Sequence, residues 1–354
     1  GVHRVCDALV CLRASKRSLM VFSEVPQTSS VRRQKIREFL QSVSLEMSED
    51  VETFVVAKEE DRIVACGGLS GKVLKNIAID ESVRGEGVAL SLMSELLKVA
   101  YREGRFELFL FTKPHYQEVF ESCGFKYIEQ AHGEVILMEN SYAIEAYKKR
   151  LRKLRHSGDT VGCIVMNANP FTLGHRYLVQ EACARSDWVH LFVVKEDASF
   201  FRFADRYRMI EEGVRDFTNL TLHEGSDYMI SKATFPTYFI KDKGRINSLY
   251  TELDLAIFRH HLAPPLGITH RFVGEEPLCV VTNEYNTQMK RRLAEASEYP
   301  PIELVELKRI AESGEPISAS RVRGAMKENR WDEIARLVPQ STYRLLAAMK
   351  EEVE

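Results

Sequence analysis

The chain has 354 residues, of which 45% are apolar and 28% charged. That is long enough for two ordinary domains with real hydrophobic cores. Lys and Arg number 49 against 51 Asp and Glu, a net charge of −2, which argues against a dedicated nucleic-acid binder. No apolar run approaches the ~18 residues of a membrane span. Leu9–Cys11 and Leu19–Phe22 are interrupted by Arg13, Lys16 and Arg17, so no signal peptide is expected.

The first stretch, 1–29, carries no clear pattern and is read as a poorly defined segment. An apolar stripe at Ile36, Phe39, Leu40 and Val43 predicts a helix. Val51–Ala57, Ile63–Leu69 and Val73–Ile79 predict successive strands, the first two joined by a turn at Glu59–Arg62. A helix over Val88–Ala100 and strands over Phe106–Phe111, Gly124–Ile128 and Val135–Met138 complete an α+β domain at 30–141. The basic run Lys148, Lys149, Arg150, Arg152, Lys153 and Arg155 overlaps Ile144, Tyr147, Leu151 and Leu154 at helical spacing. It predicts a linker helix at 142–159 with a solvated basic face.

From 160 to 354 strand and helix signals alternate. Val161–Met166, Trp188–Val194, Leu220–His223, Ile268–Gly274 and Ile302–Leu307 read as strands, and Gly174–Ser186 and Arg206–Phe217 as helices. The order implies an α/β domain with a Rossmann-like parallel sheet. Cysteines stand at positions 6, 11, 66, 123, 163, 183 and 279. Their odd number and the lack of any CxxC pair speak against a disulfide framework or zinc site and for a reducing, cytoplasmic setting.

Two constellations carry chemistry. In the first, Arg84-Gly85-Glu86-Gly87-Val88-Ala89 links a strand to a helix. Glycines at a helix entry let open backbone N–H groups approach a phosphate, and Arg84 supplies charge. The Arg-x-x-Gly-x-Ala pattern, followed by Cys123-Gly124-Phe125 at a strand start, resembles the GNAT acetyltransferases. The resemblance implies a CoA-binding loop at Arg84, Gly85, Gly87 and Ala89. Glu95, Glu107 and Tyr116 have no supporting motif for a general acid or base.

In the second, Asn167-Ala168-Asn169-Pro170-Phe171-Thr172-Leu173-Gly174-His175 comes after an apolar strand and opens a helix. A histidine in the first turn behind a hydroxyl N-cap is placed to donate to a phosphate. Ile317-Ser318-Ala319-Ser320-Arg321-Val322-Arg323 opens another helix near the end of the chain. Hydroxyls and free N–H groups there, with a guanidinium, suit phosphate oxygens. The pair resembles the T/HxGH and ISSTxxR elements of the HIGH nucleotidyltransferase superfamily. That resemblance implies an ATP site including Asn167, Asn169, Pro170, Phe171, Gly174, Ile317 and Ser320, with Thr172, His175, Lys195, Ser318 and Arg323 as catalytic donors. Lys195 and Arg206 come after strand Trp188–Val194, at the sheet edge that binds ligands in open α/β folds.

A GNAT-like half ahead of such a half resembles the citrate (pro-3S)-lyase ligase family. The strings Leu74–Ala78, Phe111–Pro114, Leu137–Ser141, Tyr228–Tyr238, Val273–Pro277 and Tyr285–Asn286 carry the likeness. It implies that ATP and acetate give acetyl-adenylate, and that the phosphoribosyl-dephospho-CoA arm of the lyase acyl carrier subunit takes the acetyl group. Mg2+ would be held mainly by phosphates, with no protein metal site. Lys232 and Arg206 are candidates for acetate or the arm, and Gly274 and Glu275 for the nucleotide. A pantetheine-phosphate-type adenylyltransferase, an N-acetyltransferase and a first domain that only grips the carrier are the alternatives. No nucleic-acid or membrane partner is expected.

Overall fold

The structure, a computed structural model, describes residues 19–85, 87–195, 199–232, 234–276 and 279–351. Cys6, Cys11, Glu86 and Pro277 lie outside the described residues. Two compact units emerge: one runs to Leu110 and includes Ser122–Gly124, the other holds Phe111–Glu121 and everything from Phe125 onward.

In the first unit β1 (Val21–Pro26) leads into α1 (Ser30–Ser42), then β2 (Thr53–Glu59), β3 (Arg62–Ser70), β4 (Val73–Ile79), α2 (Val88–Arg102) and β5 (Phe109–Thr112). β1 to β4 form an antiparallel meander. β5 joins β4 in parallel through only two residue pairs, Val73 with Phe109 and Leu74 with Leu110, so most of β4 runs on without it. Ile36, Phe39 and Leu40 of α1 pack on Val25, Phe54 and Val56 of the sheet. β1 falls within the segment expected to be poorly defined. Only Val25 is buried along it, and an exposed edge strand carries little alternation to read.

The second unit begins with α3 (Gln117–Ser122) and the hairpin of β6 (Lys126–Ala131) and β7 (Val135–Glu139), followed by α4 (Ala143–Lys153). Then come β8 (Val161–Met166), α5 (Leu173–Arg185), β9 (Trp188–Val193), α6 (Phe203–Gly213), β10 (Leu220–His223), α7 (Ile246–Ile257) and α8 (Ala263–Leu266). β11 (His270–Gly274), α9 (Val280–Ala294), β12 (Glu303–Leu307), the short pair β13 (Ala311–Glu312) and β14 (Glu315–Pro316), α10 (Ala319–Lys327), α11 (Trp331–Leu337) and α12 (Gln340–Glu351) close the chain. β8, β9, β10, β11 and β12 form one parallel sheet in the order β10-β9-β8-β11-β12. The order reverses between β8 and β11, which makes the carboxyl ends of those strands the expected ligand crevice. One face packs Ile164, Leu191 and Phe272 against Val179 and Val322.

α4 is less of a linker than its sequence suggests. Its basic residues are solvated as expected, but Ile144 and Leu151 are buried, and the Arg155 side chain beyond it donates to the Pro264 carbonyl at 3.3 Å. An apolar stripe this well defined finds a surface to cover. Among the described residues no helix is long and apolar enough to cross a membrane.

Candidate active site

The crevice is built from the loop after β8 and the turn before α10. Thr172 caps α5: its Oγ1 accepts from the His175 backbone N–H at 3.3 Å, and its own backbone N–H donates to His175 Nδ1 at 3.0 Å. This capping box fixes the imidazole by its Nδ1. Because Nδ1 accepts, the neutral ring carries its proton on Nε2. Burial, with the Arg309 charge as a second cause, pushes the His175 pKa down to about 4. The ring at neutral pH is therefore an uncharged N–H donor.

Ser318 caps α10 in the same manner, its Oγ accepting from the Arg321 N–H at 3.2 Å and lying 3.1 Å from Ser320 Oγ. The two helix entries meet. The Arg323 guanidinium donates to the Asn169 carbonyl at 2.7 Å, across 154 residues of sequence. A Cβ at Gly174 would stand 3.4 Å from the Ile317 carbonyl oxygen, so glycine permits this approach. Asn169 Oδ1 accepts from the Phe201 N–H, and Asn167 Nδ2 donates to Ser199 Oγ. Pro170 is buried behind the loop. Arg321 is saturated by Glu312 and Glu333. Arg323 is thus the guanidinium of α10 that the loop engages.

Other sequence candidates take different places. Lys195 is exposed just past β9. Gly274 ends β11 with open space where a Cβ would stand, its carbonyl held by Asn286, and Glu275 N–H donates to Leu307. Lys232 lies 5.6 Å from the Tyr250 ring. In the first unit Gly85 and Gly87 adopt φ of 85° and 75°, a region open to glycine at little cost. Arg84 beside them donates to the Ile79 carbonyl and pairs with Glu81. Ala89 lies in the first turn of α2, and Glu95 pairs with Lys98.

Two candidates are corrected. Arg206 is 0% exposed, and its guanidinium donates to the carbonyls of Phe201, Asn167 and Val194 at 3.1, 2.9 and 2.9 Å. It is a strut beneath the loops, not a ligand for acetate or the arm. Phe171 is wholly buried with its ring stacked 5.8 Å from His175, so its side chain supports the imidazole and does not line the nucleotide site. One residue was missed: Arg309, just past β12, pairs with Glu276 and lies close enough to His175 to shift its titration. No motif marks it; only the sheet order places it at the crevice.

The fork geometry of Arg323 leads to a first prediction. Arg323→Lys keeps the charge but loses the planar two-point grip. It is expected to lower kcat/KM for ATP about tenfold, and Arg323→Ala about 100-fold. Steady-state kinetics at matched thermal stability check both values.

A second prediction concerns acid. His190 and His223 are buried and bonded to each other at 2.8 Å. Burial, with His223 and His156 as further causes, pushes His190 to about 3, and burial pushes His223 to about 4. The unfolded chain protonates both near the ordinary 6.5 while the fold keeps them neutral. Stability is therefore full above pH 6.5 and falls as pH drops below it. Between pH 7.5 and 5.5 each contributes a loss of about 1 kcal/mol, so Tm should fall by about 5 °C. A flat Tm over that range contradicts the assignment.

Known proteins match both units. The family described as citrate lyase ligase C-terminal domain matches residues 161–346, and the acetyltransferase (GNAT) domain matches 27–136. A citrate (pro-3S)-lyase ligase of Escherichia coli is 47% identical over 333 residues, covering 94% of this chain and 95% of that protein. That of Klebsiella pneumoniae is 49% identical over 321 residues, covering 90% and 94%. That of Haemophilus influenzae is 48% identical over 314 residues, covering 88% and 94%.

Proposed function

The chain belongs to the citrate (pro-3S)-lyase ligase family, and from that premise we propose that its second unit activates acetate as acetyl-adenylate and delivers the acetyl group to a thiol of citrate lyase. Family membership makes it a ligase that activates citrate lyase by acetylation. The observation that carries the mechanism is the bond from Arg323 to the Asn169 carbonyl, which joins two hydroxyl-capped helix entries at the switch point of the sheet.

A triphosphate fits that donor set: two helix N-termini, the hydroxyls of Thr172, Ser318 and Ser320, the neutral His175 donor and two guanidiniums. An acetate oxygen attacks the α-phosphorus in line and pyrophosphate leaves. His175 and Arg323 stabilise charge that grows on the non-bridging oxygens, and no covalent enzyme intermediate is needed. Lys195, exposed at the same strand edge, adds a positive charge there. The thiol then attacks the acetyl carbon, loses its proton and expels AMP. Mg2+, held chiefly by the phosphates, would supply charge neutralisation.

The thiol belongs to the phosphoribosyl-dephospho-CoA arm of the acyl carrier subunit. The open glycine loop at Gly85 and Gly87 and the match to the acetyltransferase (GNAT) domain support the first unit as the place where that CoA-like arm docks.

Exchange of labelled pyrophosphate into ATP tests the reading. It should require acetate and proceed without the carrier. Exchange that needs a phosphopantetheine substrate, or none with acetate, would overturn it.

A further inference from the structure

The second unit encloses a cavity of about 170 Å³ beside β8 and β11. Its walls are apolar: Val165, Val194, Met229, Ile230 and Phe258. Its polar lining is Arg271, Asp254 and Tyr285. Arg271 lies on β11 opposite Cys163 of β8 and is only 5% exposed. Its Nε is buried with no hydrogen-bond partner, and among the described residues no carboxylate oxygen comes within ion-pair distance of its guanidinium. Phe258 lies under it at 4.5 Å. The nearest acid, Asp254, accepts instead from the Tyr285 hydroxyl at 2.6 Å, and burial raises its pKa. Cys163, the other neighbour, is a neutral thiol pushed up to about 12 by burial.

A desolvated guanidinium facing an apolar cavity is costly unless an anion completes it. The space is well below the roughly 300 Å³ of pockets for drug-sized ligands, so a nucleotide does not fit. Aliphatic walls around one cation suit a carboxylate with a very short hydrocarbon tail. Phe258–Leu262, which helps wall the cavity, winds as a single π turn, a local distortion common at ligand sites. Val165 and Val194 stand within two residues of Asn167 and Lys195, so the cavity reaches the edge of the sheet that carries the nucleotide loop.

We propose that this cavity binds a short-chain monocarboxylate, with Arg271 holding the carboxylate and Val165, Val194 and Ile230 enclosing the tail. That the bound acid is the one the ligase activates rests on the function proposed above; the carboxylate site itself does not.

The test combines a binding readout with kinetics. Sodium acetate should raise the Tm of the full chain relative to sodium chloride at equal ionic strength. Arg271→Gln should abolish that shift and raise the acetate KM in pyrophosphate exchange at least tenfold, with the ATP KM changed less than twofold. Because removing a buried arginine can unfold the chain, Ile230→Ala provides a second arm. By widening the cavity it should raise kcat/KM for propionate relative to acetate at least tenfold. No acetate shift in the wild type, a folded Arg271→Gln with unchanged acetate KM, or an Ile230→Ala with unchanged chain-length preference overturns the site. An Arg271-dependent acetate shift in a chain that shows no exchange supports the site and overturns the functional reading.

Discussion

His175→Ala is expected to lower kcat for acetate-dependent pyrophosphate exchange by ~10²–10³-fold, the scale for one preorganised donor to developing charge. The size comes from how the ring is held. Thr172 fixes Nδ1 through two contacts, and Phe171 stacks beneath, so little reorganisation is left to be done when charge builds on phosphate. His175→Gln, which keeps an amide N–H, should recover part of the loss. The titration adds a sharper expectation. With the free-enzyme pKa near 4, the ring is neutral from pH 5.5 to 8, and kcat/KM for ATP should show no titration of this group across that span. A tenfold fall per unit above pH 6.5 would mean that the charged imidazole is the working form.

Arg206→Met is expected to act on stability instead. Three carbonyls lose their donor, those of Phe201, Asn167 and Val194. Orphaned buried acceptors cost about 1–3 kcal/mol each before water or relaxation relieves them, and a net loss of about 3 kcal/mol is expected. Tm should fall by about 6–12 °C. The acetate KM, measured well below the transition, should change less than threefold. An unchanged Tm with a tenfold higher acetate KM would restore Arg206 as a substrate ligand.

Much of this architecture is legible in the sequence because burial leaves a signature there. β8 and β10 match their predicted limits, and both capped helix entries lie where the hydroxyls and glycines put them. Residue type does not reveal who is consumed by the fold. Arg206 and Arg323 both stand near a strand end or helix start as plausible phosphate ligands. Only the structure distinguishes the strut, with every donor spent inside, from the guanidinium at the junction of two loops. Phe171 looks like part of the nucleotide motif because it lies inside the string, yet its ring faces the core. Arg309 and Arg271 carry no motif at all. One is placed by the order β8-β11-β12, the other by a cavity that forms only when α7 and β11 come together. β1 escaped notice because an edge strand with one buried residue does not alternate strongly.

The central claim is that residues remote in the chain close around one triphosphate. Crystals of the full chain grown with Mg2+ and a non-hydrolysable α,β-methylene ATP address it directly. The account predicts phosphate density within hydrogen-bond distance of both His175 Nε2 and the Arg323 guanidinium. Triphosphate density at the Arg84–Ala89 loop, with the α5 and α10 entries empty, would contradict it.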